Sequence, residues 1–258
     1  MSSTLAGPLL AEISRVARVD RLLVASDFDG TMSAIVDDPA AARTVPETDA
    51  ALRALVELPR TIVAVVSGRS LAMLRELTGL PPAVHLVGSH GMEFDESFAT
   101  EMSHDDRERL ARIDQQATAL AARFPGLQVE RKPASIAIHY RHVAPGQRAA
   151  AVAAIAAGPE LIEGAHVTTG KEVVEIAAVQ TSKGYALELL RARERADAVV
   201  FVGDDVTDEH AFAVLREGDL GVKVGPGPSA APQRVPGVAD VAAVFDVLLR
   251  ERRSYLAG

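Results

Sequence analysis

No cysteine and no tryptophan occur in the 258 residues, and only four lysines stand among the 27 Lys and Arg. Without cysteine there is no disulfide, no thiolate metal centre and no thiol nucleophile. Aromatics are 4% of a chain that is 48% apolar, so the core has to be built from Ala, Val, Leu and Ile in layers between helices and sheet. No apolar run reaches the ~18 residues of a membrane span, and Met1 to Asp20 lacks the basic start and apolar middle of an export signal. A cytoplasmic location is therefore expected. A net charge of −8 and a pI near 5.4 argue against a nucleic-acid partner, although a few cations gathered at one site would still serve a small anionic substrate.

The chain is longer than a typical domain of about 100 to 200 residues, and its hydrophobic rhythm changes twice. A leading helix is predicted over Leu9 to Val19. Short apolar runs then alternate with helical patterns: strand Leu22 to Ala25, helix Glu47 to Leu58, strand Thr61 to Val66, helix Ser70 to Thr78, strand Ala83 to Val87. This β-α-β order implies parallel strands with right-handed crossovers. Between 94 and 176 come a helix Asp105 to Phe124, strands Leu127 to Arg131 and Ser135 to Arg141, a helix Gln147 to Ala157, and strands His166 to Thr169 and Val173 to Ile176. Strands joined by short links predict an antiparallel sheet backed by two helices. The βα rhythm returns with helix Ser182 to Ala192, strand Ala198 to Val202, helix Thr207 to Arg216, strand Gly221 to Val224 and helix Ala239 to Arg252. The expected organisation is a parallel-sheet α/β core from 1–93 and 177–258, with a smaller α/β unit inserted at 94–176.

In such a sheet, side chains just past the carboxyl end of a strand line the crevice where ligands bind. The buried run Leu22 to Ala25 leads there into Asp27-Phe28-Asp29-Gly30-Thr31. With one residue between them in an extended segment, Asp27 and Asp29 should leave the backbone on the same side and converge. Two such anions need a cation, and oxygen ligands suit Mg²⁺; an Asp-Gly pair also simply closes strands as a turn. A second strand, Val199 to Val202, delivers Asp204, Asp205 and Asp208. A helix N-terminus favours acidic residues and would account for Asp208 and Glu209, but not for Asp204 and Asp205 together. Ser67 ends the second core strand, where serine also caps helices, and Lys183 opens the helix after the inserted unit. By period two, Lys171 and Glu175 share one face of their strand, His139 and Arg141 share one face of theirs, and Glu172 points away to solvent.

The five residues from Asp27 to Thr31 resemble the first motif of the haloacid dehalogenase superfamily of phosphohydrolases. That resemblance implies a Rossmann-like core with an inserted cap. It implies Asp27 as nucleophile, Asp29 as acid/base that meets Mg²⁺ through its main-chain carbonyl, and Lys183 as the cation of the third motif. Asp204 would sit on the metal, with Asp208 on it or beside it, the Ser67 hydroxyl would hold a phosphate oxygen, and Thr31, Gly68 and Arg69 would bind the substrate with it.

The wider set of Ser67-Gly68-Arg69, Gly88-Ser89-His90-Gly91, Gly170-Lys171-Glu172-Val173-Val174-Glu175, Ser182-Lys183-Gly184 and Gly203-Asp204-Asp205-Val206-Thr207-Asp208-Glu209, in this order, resembles the trehalose-6-phosphate phosphatase family. Met32 in place of an aliphatic residue is a conservative departure. The resemblance implies hydrolysis of trehalose 6-phosphate through an aspartyl-phosphate, with the sugar held by Arg131, His139, Arg141, Lys171 and Glu175 and with His90 at the hinge. A small-molecule substrate and a monomer are expected. A sister phosphatase for sucrose 6-phosphate or mannosyl-phosphoglycerate, or a silent regulatory domain, would use the same core.

Overall fold

The computed structural model describes residues 5–94, 103–132, 134–170, 172–179 and 182–258. In chain order the strands are β1 (Leu22–Ser26), β2 (Thr61–Val66), β3 (His85–Gly88), β4 (Glu93–Phe94), β5 (Gln128–Arg131), β6 (Ser135–His139), β7 (His166–Gly170), β8 (Val173–Ala177), β9 (Ala198–Gly203), β10 (Leu220–Val224) and β11 (Gln233–Val235). The helices are α1 (Gly7–Val16), α2 (Pro46–Val56), α3 (Leu71–Thr78), α4 (His104–Arg123), α5 (Pro145–Ala156), α6 (Lys183–Glu194), α7 (Glu209–Phe212) and α8 (Val238–Ala257). None of the helices among the described residues is long and apolar enough to cross a membrane.

Two compact units result, Met1–Ser97 with Ser182–Gly258, and Phe98–Thr181. Both boundaries fall a few residues later than the change of hydrophobic rhythm. β4 pairs antiparallel with β3 and so belongs to the first unit, while β8 runs on through Ala177 in register with Ser135.

The first unit carries a sheet of order β11-β10-β9-β1-β2-β3-β4, parallel apart from β4. From β1 the chain steps outward through β2 and β3, and later from β9 outward through β10 in the other direction. The order therefore reverses between β1 and β9, and a crevice opens at their carboxyl ends. The buried runs of these strands use alternate residues for the two faces. Leu22, Val24, Val63, Val65, Val200, Val202 and Val222 pack with Leu9 and Ile13 of α1, Leu52 and Leu55 of α2, and Val244, Phe245 and Leu248 of α8. Residues of the other parity, Asp27 among them by extension of β1, face the side that α6 covers.

In the second unit the antiparallel sheet has the order β5-β6-β8-β7. Ile136, Ile138, Val174 and Ile176 on one face pack with Ile113 and Ala117 of α4 and with Ala151 and Ile155 of α5. The opposite face carries Glu130, His139, Thr168 and Glu175 around the buried Ser135, Ala137 and Ala177.

Four elements differ from the sequence expectation. The helix expected over Thr207 to Arg216 is confined to Glu209–Phe212, because Asp205 and Asp208 turn their carboxylates onto the backbone N–H groups of their own loop rather than start a helix. β4 and β11, two and three residues long, are too short to leave a periodic signal. Arg141 lies beyond the end of β6, which stops at His139.

At the amino ends of β1 and β2 the side chain of Arg252 from α8 is fully buried. It donates to the carbonyls of Ala17, Val19, Asp20 and Arg60 and to Thr61 Oγ1. Removing this one side chain leaves several buried acceptors without donors, at roughly 1–3 kcal/mol each. Arg252→Met is expected to lower the free energy of unfolding by about 3 kcal/mol or more, measured by urea denaturation.

Candidate active site

Ser26 of β1 lies opposite Val202 of β9, and the Asp27 N–H donates to the Val202 carbonyl at 2.9 Å, so both strands release their next residues at the same point. Beyond β1 the chain turns sharply. Gly30 has φ +76°, and a Cβ there would stand 2.0 Å from an oxygen of Asp204. Only glycine admits both the left-handed backbone and the approach of the second carboxylate. Gly203, in ordinary strand backbone, leaves room in the same way for Asp208, whose Cγ would lie 2.3 Å from an added Cβ.

Asp27, Asp204 and Asp208 each offer an oxygen within 4.8 Å of the others, a grouping able to hold a metal ion. Carboxylate oxygens are the donors a hard divalent cation takes. Lys183 answers them in part. Ser182 caps α6 by accepting from Tyr185 N–H at 3.0 Å, and the first helical residue then points its ammonium, 2% exposed, to 2.8 Å from Oδ1 of both Asp27 and Asp208. Asp208 is further fixed by the N–H groups of Asp204 and Asp205, at 2.8 and 3.0 Å. Asp204 is half-buried and accepts from the Thr31 hydroxyl at 3.3 Å.

Burial pushes the Asp27 carboxyl well above the ordinary carboxylate range, against the pull of Lys183, and Asp208 adds to the rise. Burial raises Asp204 too, with Asp205 adding like-charge repulsion. For Asp205, burial is outweighed by the Thr207 hydroxyl and by Lys183, and its carboxyl is lowered. The Lys183 ammonium, opposed by burial but held by Asp27 and Asp208, is raised. The cluster thus carries more negative charge than its own cation offsets, the condition in which a carboxylate site takes up protons or a metal.

Asp27 and Asp29 converge on one cavity but not on one ligand set. Both line one cavity of about 320 Å³, but the Asp29 carboxylate turns to Arg69 in a two-pronged ion pair of 2.7 and 2.6 Å and stays outside the metal-capable group. Ser67, Gly68, His90 and Lys183 line the same cavity. Ser67 ends β2 and its Oγ accepts from Arg69 N–H, while its carbonyl accepts from His90 N–H at 2.9 Å. Ser89 and His90 both hold left-handed φ angles, 48° and 55°, and Glu93 supports that turn by accepting from the Ser89 hydroxyl and from Leu71 N–H. Gly68 is needed beneath it, since a Cβ there would meet the His90 ring at 2.5 Å.

The second unit distributes its expected residues unevenly. Glu175 and His139 share the face of the sheet turned away from α4 and α5, with Glu175 accepting from Ser135 Oγ at 2.7 Å and His139 Nε2 lying 2.8 Å from Glu130. Arg131 stands opposite Ile136 on the helix-covered face and pairs with Asp114 of α4 at 2.9 Å. Arg141 pairs with Glu172 at 3.0 Å, and Arg148 takes its other oxygen, so Glu172 is not the solvated residue expected. Lys171 lies outside the described residues.

Two cations escaped the sequence reading. Lys132 contacts both Glu175 oxygens at 3.0 and 3.1 Å; its two-residue step from Glu130 was the available signal. Lys223 is 4% exposed and donates to the Asp204 carbonyl. A charged residue inside Leu220-Gly221-Val222-Lys223-Val224, otherwise a fully buried strand, marks it.

A trehalose-phosphate phosphatase of Mycobacterium avium (strain 104) is 38% identical over 209 residues, which are 75% of this chain and 51% of that protein. The trehalose-phosphate phosphatase of Mycobacterium tuberculosis (strain H37Rv) is 37% identical over 255 residues, covering 88% of this chain and 61% of the relative. This chain therefore spans about half to three-fifths of the length of such relatives. A crystal structure of Aspergillus fumigatus trehalose-6-phosphate phosphatase superposes with a TM-score of 0.66 at 25% identity, over 93% of this chain and 97% of that one. The trehalose-phosphatase family model matches residues 25–239, from β1 to the first turn of α8, and the chain belongs to that family.

Proposed function

We propose that this chain is a Mg²⁺-dependent phosphatase that releases phosphate from trehalose 6-phosphate through an aspartyl-phosphate on Asp27. The observation that carries the reading is the buried Asp27–Lys183 pair at 2.8 Å, set beside Asp204 in an open cavity. A carboxylate attacks a phosphate dianion only where positive charge screens their repulsion. The family relatives bear the name trehalose-phosphate phosphatase, which supports the substrate.

Mg²⁺ held by Asp27, Asp204 and Asp208, with the main-chain carbonyl of Asp29, would supply the charge that Lys183 alone does not. The chain's own groups do the rest. Ser67, Gly68 and Thr31 hold phosphate oxygens, and Lys183 neutralises the entering group. An oxygen of Asp27 bonds to phosphorus while the bond to the sugar oxygen breaks; the bonding pair stays on that oxygen, which takes a proton from Asp29. Asp29, then a carboxylate, takes a proton from water as the water oxygen attacks phosphorus. The bond to Asp27 breaks, its carboxylate is restored and phosphate leaves. Glu175, Lys132 and His139, on one sheet face, are the groups that recognise sugar hydroxyls.

Asp27→Asn keeps the shape and loses the nucleophile, so phosphate release from trehalose 6-phosphate should fall by more than ~10²-fold with an unchanged melting temperature. A larger residual rate would remove Asp27 from that role. Excess EDTA should stop turnover and added Mg²⁺ restore it; unchanged rates in chelator would exclude the metal. Glu175→Gln should cut kcat/KM for trehalose 6-phosphate by ~10-fold, the value of a hydrogen bond to a charged group, yet leave p-nitrophenyl phosphate turnover nearly constant. Lys183→Ala should depress both substrates, and equal losses from Glu175→Gln would withdraw it from sugar recognition.

A further inference from the structure

Arg69 stands where the family resemblance implies a substrate ligand, but its donors are directed elsewhere. Nε and Nη2 grip the two oxygens of Asp29 at 2.7 and 2.6 Å, and Nη1 donates to the Pro39 carbonyl at 2.6 Å and lies 3.2 Å from Met73 Sδ. The guanidinium also stacks 5.4 Å from the centre of the Phe28 ring, which is fully buried between the two aspartates in sequence. Four of the five N–H groups of an arginine are thereby committed, and the head is 11% exposed although it lines the cavity.

Asp29 has the opposite character. Its side chain is 37% exposed, and Arg69 is the only ion-pair partner recorded for it among the described residues. A carboxylate so placed would sample several rotamers unless something fixed its plane. Two parallel N–H···O bonds fix both its direction and its plane, which a single point charge does not do. Arg69 is in turn anchored by main chain of two other segments, the Pro39 carbonyl on Nη1 and Ser89 N–H on its own carbonyl at 2.7 Å, and its N–H donates to the Ser67 side chain.

We propose that Arg69 is a positioning residue that acts through Asp29, fixing the direction of its ionised carboxylate for taking a proton from the attacking water, rather than a direct ligand of the phosphate. The inference rests on the acid/base role proposed above for Asp29.

The test is a double-mutant cycle on the full chain in Mg²⁺, with turnover of trehalose 6-phosphate and calorimetric binding of inorganic phosphate as readouts. Arg69→Ala should lower kcat by roughly 10²-fold, the cost of a misplaced reacting group, with KM within about threefold. Arg69→Lys should lose nearly as much, because it cannot present the fork, and phosphate affinity should be kept in both variants, which also reports an intact site. Added to Asp29→Asn, Arg69→Ala should cost less than about twofold more, the non-additivity of residues acting as one unit. A full additive loss in that background, or a fall of ~10-fold or more in phosphate affinity with kcat retained, overturns the assignment and makes Arg69 a phosphate ligand. A wild-type chain that hydrolyses no phosphate ester overturns the proposed activity and this inference together.

Discussion

Four carboxylates, Asp27, Asp204, Asp205 and Asp208, gather at the carboxyl ends of two adjacent strands with two buried ammonium groups, Lys183 against Asp27 and Asp208 and Lys223 on the Asp204 carbonyl, and the local structure is arranged around that imbalance. Left alone, such groups either repel one another or take up protons, which is the direction in which burial drives Asp27 and Asp204. The fold meets part of the charge. Lys183 is delivered by the first turn of α6, backbone N–H groups of the loop after β9 point at Asp208, and Lys223 sits under the Asp204 carbonyl. Glycines at 30 and 203 leave the room for the close approach. What remains unbalanced is negative charge, for which a divalent cation would be the counterpart.

That arrangement depends on topology before it depends on any side chain. Only where the strand order reverses do the loops after two neighbouring strands diverge and leave a crevice. The two ends of the same sheet then use buried charge in different ways. At the amino ends Arg252 is consumed by main-chain carbonyls, and Arg191 by Asp219, whose oxygens also accept from Val199 and Arg216 N–H groups. Every such donor closes the structure down. At the carboxyl ends the carboxylates keep oxygens turned toward a cavity, so one end holds the aliphatic layers together while the other retains unsatisfied electrostatics for a ligand.

What was legible in the sequence follows from this division. Apolar strands that break off into Asp27 and Asp204 show in a single line of residues, because the strand period and the sudden charge are both local. The direction of Asp29 is not local: its partner Arg69 lies 40 residues away on the neighbouring strand's loop. Spacing alone brings Asp29 to the same cavity as Asp27, but not the ion pair with Arg69 that holds its carboxylate there. The short α7 has a similar cause, since nothing in Thr207 to Arg216 says that Asp208 is committed to Lys183 across 25 residues. In the second unit, parity decided correctly for Glu175, whereas Arg131 was put among the sugar ligands by resemblance and its own parity, opposite Ile136, sends it to α4.

The face of the antiparallel sheet turned away from α4 and α5 has its own electrostatic logic. Glu175 and Lys132 are each about a fifth exposed and already in contact, with Ser135 fixing one oxygen of the pair. A largely buried pair of this kind loses much of its Coulombic gain to desolvation, so its value as a scaffold element is small. Its value as a recognition element is different. Pairing fixes the direction of a carboxylate and an ammonium before any ligand arrives, and their partial exposure leaves lone pairs and N–H groups available at one spot. A sugar hydroxyl is donor and acceptor at once, so a prepositioned acceptor beside a prepositioned donor matches it without the cost of ordering two long side chains during binding. A flat row of uncharged residues on the same strands would bind the sugar by area alone and could not distinguish one hydroxyl pattern from another.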